Sequence, residues 1–131
     1  MKTYIGGCHC QAVRFVEVDL SAGTLRCNCS FCRKVRCWTV RVPRALFELI
    51  AGVGALSEYQ FGEKREVHYF CKHCGIRPFG LHKAQLPDAY YGVSVSCLDD
   101  VGDAVLETTP IQYMDGLNDE WNAMPSPHRF L

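Results

Sequence analysis

The chain has 131 residues, 48% hydrophobic and 21% charged, with 14 Lys/Arg balanced by 14 Asp/Glu. This is the composition of an ordinary globular protein, so it excludes a disordered chain. No run approaches the roughly 18 consecutive apolar residues of a membrane helix, so no membrane association is expected. The length fits a single domain over residues 1–131.

The N-terminal "MKTYIGGCHC" has no apolar run and does not resemble a signal peptide. Nine cysteines without such a signal, odd in number and set in tight pairs, read as metal ligands or redox centres rather than disulfides. A reducing, cytoplasmic setting is therefore expected. Charge is lopsided: residues 1–83 hold 13 Lys/Arg against 6 Asp/Glu, and residues 84–131 hold one against 8.

In chain order, "QAVRFVEV" (11–18) alternates as a strand, and "RCWTVRV" (36–42) alternates until Pro43 stops it. "PRALFELIAG" (43–52) is expected to form a helical turn ended by Gly52. "LSEYQFG", "REVHYF" and "AYYGVSVSCL" are further short strands rich in aromatic and β-branched residues, and "LNDEWNAM" (117–124) is a second candidate helical turn. The expectation is a mainly β fold of small antiparallel sheets with few short helical turns, stapled by metal at its turns.

Three cysteine groups carry the chemistry. Cys71 and Cys74 form a Cys-x-x-Cys turn followed by Gly75, in which backbone N–H groups can point at the sulfurs. A tetrahedral structural zinc needs two more ligands. Cys8 and Cys10 suit this, since alternate strand positions share a face. Sulfurs on one zinc sit roughly 3.8 Å apart, within reach of such a pair after a modest bend. The competing reading is a redox Cys-x-x-Cys with Cys8 and Cys10 uninvolved, but no thioredoxin-like βαβ pattern precedes it.

Cys27, Cys29 and Cys32 remain. Three thiolates from one loop make a zinc site with an open fourth position, the arrangement of catalytic rather than structural zinc. Such a centre carries a net charge near −1, which Arg26, Arg33 and Lys34 are placed to offset. Cys37 is the rival fourth ligand and would close the site, or the four cysteines could hold an iron–sulfur cluster. Cys97 reads as a small buried apolar residue. His9, His68, His73, His82 and His128 read as surface or hydrogen-bonded residues, with His73 and His82 retained for proton transfer. The basic run around Cys32 could serve a nucleic acid, but zero net charge argues against it and no nucleic-acid partner is expected.

The order Cys-x-Cys, Cys-x-Cys-x-x-Cys-Arg, Phe-Cys-x-x-Cys-Gly resembles the glutathione-dependent formaldehyde-activating enzyme family over nearly the whole chain. "GGCHCQAVRF", "CNCSFCRK", "LSEYQFGEKREVHYFCKHCGIRPF" and the closing "DGLNDEW" carry the likeness. It implies a zinc-stapled arrangement of small β-sheets with two Zn2+ per chain. Cys8, Cys10, Cys71 and Cys74 match the structural ligands, and Cys27, Cys29 and Cys32 the catalytic ones. The implied activity is condensation of glutathione with formaldehyde to S-(hydroxymethyl)glutathione, a carbon–sulfur lyase reaction, with Arg26, Arg33, Lys34 and Arg36 as candidates to grip the carboxylates of the bound thiol. Two positions depart from the family pattern: Asn28 where His is usual, and Gln11 where Gly is usual. The alternative function is a non-catalytic zinc-binding domain that binds a thiol ligand or a protein partner.

Overall fold

The computed structural model describes residues 2–84 and 88–131. Ten strands and two short helices follow one another: β1 (Tyr4–Gly7), β2 (Arg14–Val18), β3 (Thr24–Cys27), α1 (Ser30–Val35), β4 (Trp38–Pro43), β5 (Glu48–Ala51), β6 (Leu56–Tyr59), β7 (Glu66–Cys71), β8 (Phe79–His82), β9 (Tyr90–Ser94), α2 (Asp103–Thr108) and β10 (Ile111–Met114). The mainly β expectation holds. β1, β2 and β5 form a three-stranded sheet, and the other seven strands form a sheet in the order β10-β3-β4-β9-β8-β7-β6. Every pairing is antiparallel except β10 with β3, which run parallel from Ile111↔Thr24 to Met114↔Cys27. That exception matters, because it carries the segment after Met114 onto the end of β3, where the second cysteine group begins.

Period-two patterning explains how the sheets bury their faces. Val40 and Val42 of β4, Phe79 of β8 and Val93 of β9 point to one side of the large sheet. They meet Phe15 and Val18 of β2 in a single apolar core. Aromatic rings knit it: Phe15 meets Phe79 edge-on at 6.1 Å, and Phe47 stacks on Tyr91 at 4.2 Å.

Two local expectations need correction. "PRALFELIAG" makes one turn only, with Leu46 and Phe47 N–H both donating to the Pro43 carbonyl. It then extends as β5, since pairing with β2 satisfies its backbone and lets Phe47 and Leu49 pack against the core. "LNDEWNAM" contributes only the end of a 3-10 turn at Gly116–Asn118, closed by a bridge between Asp115 and Glu120. The helices that do form, α1 and α2, were not anticipated.

Candidate active site

The first cysteine group lies at two turns. Cys8 and Cys10 follow β1 in a turn closed by Gln11 N–H to the Cys8 carbonyl at 3.2 Å, not within a strand. This turn bends the two sulfurs together more than strand alternation would. Cys71 ends β7, and Gly75, at φ +77°, turns the chain back so that its N–H meets the Cys71 carbonyl at 2.7 Å. The four sulfurs all lie within 4.8 Å of one another. Cys8 to Cys10 and Cys10 to Cys71 are each 3.6 Å, close to the roughly 3.8 Å expected around one zinc. Backbone N–H groups of Ile76 and Cys10 pull the Cys74 thiol down to about 6, and those of Cys74 and His73 lower Cys71. Four converging sulfurs with amide donors aimed at them form a donor set suited to zinc.

The second group is assembled by β3 and α1. Cys27 ends β3, Cys29 caps α1 by accepting the Cys32 N–H, and Cys32 sits one turn in. The three sulfurs also lie within 4.8 Å of one another. The Cys29 N–H donates to Cys27 Sγ at 3.3 Å, and the Cys32 N–H to Cys29 Sγ at 3.4 Å. Hydrogen bonds from Cys27 and Cys32, aided by the Cys32 and Phe31 amides, hold the Cys29 thiol far below the ordinary range, while Cys27 and Cys32 rise in exchange. No fourth Cys, His, Asp or Glu among the described residues completes this set. Cys37 is buried and its backbone N–H reaches the Cys32 carbonyl, but its sulfur is not within 4.8 Å of all three. The Cys32 thiol and the Arg77 guanidinium both lower it.

These three cysteines form part of the wall of a cavity of about 630 Å³. Its floor is the outer face of the seven-stranded sheet, built from the positions that alternate with the core residues. Leu25 and Cys27 of β3, Thr39 and Arg41 of β4, and Tyr90 and Gly92 of β9 face it. So do Gly80 and His82 of β8, and Glu66 and His68 of β7. The register aligns one row across the floor: Arg41, Gly92, Gly80, His68. Of the two adjacent glycines in that row, Gly92 leaves the floor open, while Gly80 makes room for the Arg77 side chain.

His68 is buried and stacks on Phe31 of α1 at 3.6 Å, with Phe61 stacked at 5.9 Å from each. Arg77 donates to its Nδ1 from Nε at 3.2 Å and lies 3.0 Å away through Nη2. A guanidinium can only donate, so Nδ1 must be the unprotonated nitrogen. Burial first, and then Arg77, push the His68 pKa from 6.5 down to about 4, so the ring is neutral near pH 7. His82 stacks on Tyr90 at 4.7 Å, and its buried Nδ1 has no partner among the described residues. His73 does not line the cavity.

The closing segment covers the cysteines. Asn28 is buried, donating from Nδ2 to Asp115 Oδ1 at 2.8 Å and accepting the Leu117 N–H at 3.0 Å. Asp115 also accepts from Asn118, and these two amides hold its carboxyl below the usual carboxylate range. Gly116 packs so tightly that a Cβ there would lie 2.6 Å from Cys27 Sγ and 2.7 Å from the Trp121 ring. Trp121 is anchored by Nε1 to Asp119 at 2.7 Å.

The cations expected to grip a ligand stand elsewhere. Arg26 points away from Cys27 by strand alternation and lies over Trp38 at 5.0 Å. Arg33 lies over Phe130 at 4.6 Å, and both it and Lys34 are exposed on the last turn of α1, where they favour the helix C-terminus. None of the three lines the cavity; Arg41, Lys64, Arg65 and Arg77 do. The missed signal was strand alternation: polar or small residues at 39/41, 66/68, 80/82 and 90/92 repeat every second position on four strands.

The fold and the two cysteine clusters thus define a β protein able to hold metal, one cluster bringing together turns of the two sheets and the other opening on a cavity. The chain belongs to the glutathione-dependent formaldehyde-activating enzyme family, whose model matches residues 3–114. A crystal structure of a Rhodobacter sphaeroides protein, a structural-genomics target, is similar: 33% identical, TM-score 0.67, covering 82% of this chain and 99% of that one. Among the described residues no helix is long and apolar enough to cross a membrane.

Proposed function

We propose that this protein is a zinc-dependent, carbon–sulfur lyase-type enzyme that joins a small thiol such as glutathione to a small carbonyl such as formaldehyde. One domain spanning residues 1–131 carries the activity, in a reducing compartment such as the cytoplasm, with no nucleic-acid partner. The observation behind the reading is that Cys27, Cys29 and Cys32 converge within 4.8 Å on the wall of a cavity of about 630 Å³. That volume is typical of a small-molecule site. A second Zn2+ on Cys8, Cys10, Cys71 and Cys74 is structural.

When bound by Cys27, Cys29 and Cys32, zinc would lower the pKa of a thiol at its fourth position. A free thiol of pKa about 8.5–9 is already a few per cent ionised at pH 7, so full ionisation gains only ~30–100-fold. Positioning can contribute up to ~7–11 kcal/mol and therefore matters more. The reaction adds the thiol across the carbonyl: a C–S bond forms and the thiol proton ends on the carbonyl oxygen, with no change of oxidation state. The cavity's task is to hold the two reactants together beneath the Asp115–Trp121 segment, away from bulk water.

The test is turnover of glutathione plus formaldehyde, with metal content measured alongside. Wild type should bind two zincs and exceed the buffer rate; Cys29→Ser should lose one zinc and the turnover while still folding. A wild type no faster than buffer with any small thiol, or a second zinc closed by Cys37, would instead support a non-catalytic zinc domain.

A further inference from the structure

Two guanidinium groups face the cavity without a carboxylate partner. Of its acidic residues, Glu63 pairs with Arg65, Asp119 accepts from Trp121, and Glu66 lies 3.7 Å from His68 Nε2. Arg77 and Arg41 have no ion pair among the described residues. A cation with no carboxylate partner beside a cavity of ligand size keeps its charge available to bind an anion.

Arg77 is held in place on purpose-built ground. It leaves the turn after Cys74, crosses the floor over Gly80 and donates to the neutral Nδ1 of His68, while its guanidinium lies 5.6 Å from the Phe31 ring. A Cβ on Gly80 would collide with Arg77 Nη2, so the glycine is what admits the guanidinium. His68 takes up part of the donor capacity without neutralising the charge, as a carboxylate in its place would. Arg41 rises two strands away, beside Gly92 in the same row, with its guanidinium 5.0 Å over Tyr90. A Cβ on Gly92 would meet nothing nearer than Thr39 at 4.0 Å, so the floor beside Arg41 is open.

We propose that Arg77 and Arg41 are the specificity-determining residues of this site, a two-point anchor for the carboxylates of an anionic thiol. Sulfur is directed to the Cys27, Cys29 and Cys32 end, carboxylates to the glycine-floored end. The ligand class rests on the thiol-adding function proposed above. It narrows that function to thiols bearing carboxylates and excludes neutral ones.

The experiment uses S-methylglutathione, which keeps the carboxylates of glutathione but cannot react, and titrates it calorimetrically into the purified metal-loaded protein. Wild type should bind it, should not bind the neutral 2-(methylthio)ethanol, and should bind more weakly as ionic strength rises. Arg77→Gln and Arg41→Gln should each weaken binding by roughly 10- to 100-fold, the worth of one charged hydrogen-bonded contact, with zinc content unchanged. Absence of binding to wild type, a salt-independent affinity, or variants that bind like wild type would overturn the anchor. The salt series needs no variant and so decides the matter even if a substitution impairs folding. Turnover is scored separately. Arginine-dependent binding without turnover keeps the anchor and removes the lyase, while turnover indifferent to both substitutions does the reverse.

Discussion

Gln11 and Asn28, the two residues that depart from the family pattern, turn out to be structural in different ways. Gln11 closes the turn that holds Cys8 and Cys10, and does so at φ +71°, a left-handed conformation that a side chain tolerates poorly. This explains why glycine suits the position, and it shows that Gln11 strains the staple without touching the cavity. Gln11→Gly should stabilise the protein by about 0.5–1 kcal/mol, less than the full left-handed penalty because glycine also loosens the unfolded chain. A rise of a few degrees in melting temperature, with turnover unchanged, is the expected result; a fall would mean the Gln11 side chain contributes something else. Asn28 uses both ends of its amide to fasten the closing segment over the cysteines, so its role is to position that segment rather than to move protons.

At the scale of elements, spacing alone made the cysteine clusters legible, because Cys-x-Cys and Cys-x-x-Cys fix which sulfurs can converge. It also showed five of the ten strands, β2, β4, β6, β7 and β9, through their alternation and their aromatic and β-branched residues. It did not show α1, whose six residues include Cys32 and whose N-cap is Cys29, a residue type outside the usual capping set. Nor could it show which cations serve the site. Arg26, Arg33 and Lys34 are neighbours of the cysteines along the chain, but β3 alternation and the outer face of α1 send them away. Arg41 and Arg77 come from β4 and the β7–β8 turn, and only sheet register brings them to one floor. The same register makes Gly92 a place to probe the cavity directly. Gly92→Phe would set a ring on the open floor, its Cβ in ordinary contact with Thr39, on a strand that favours aromatics. Melting temperature and zinc content should stay close to wild type while turnover falls at least tenfold; unchanged turnover would move the reaction out of this cavity.

Across the whole molecule the proposed function divides the work of the two clusters between holding the fold and opening a site. Cys8 and Cys10 follow the first strand of the small sheet, whereas Cys71 and Cys74 close the β7–β8 hairpin of the large one. A metal there would fasten the two sheets together across a sequence separation of 61 between Cys10 and Cys71. Binding free energy at such a site is folding free energy. The Cys27, Cys29 and Cys32 group instead lies within one short strand–helix connection whose backbone is already fixed by β10, α1 and Asn28. A metal held there would add little to the fold. A chelator added to the two-zinc protein should therefore remove one equivalent first, abolishing turnover with little change in circular dichroism. Loss of the second equivalent should coincide with global unfolding. The variants should divide the same way: Cys8→Ser should sharply lower the melting temperature, and Cys29→Ser should move it by only a few degrees. If both zincs leave together, or if Cys29→Ser unfolds the protein as readily as Cys8→Ser, then the open cluster also carries the fold. The separation of staple from site would then be lost.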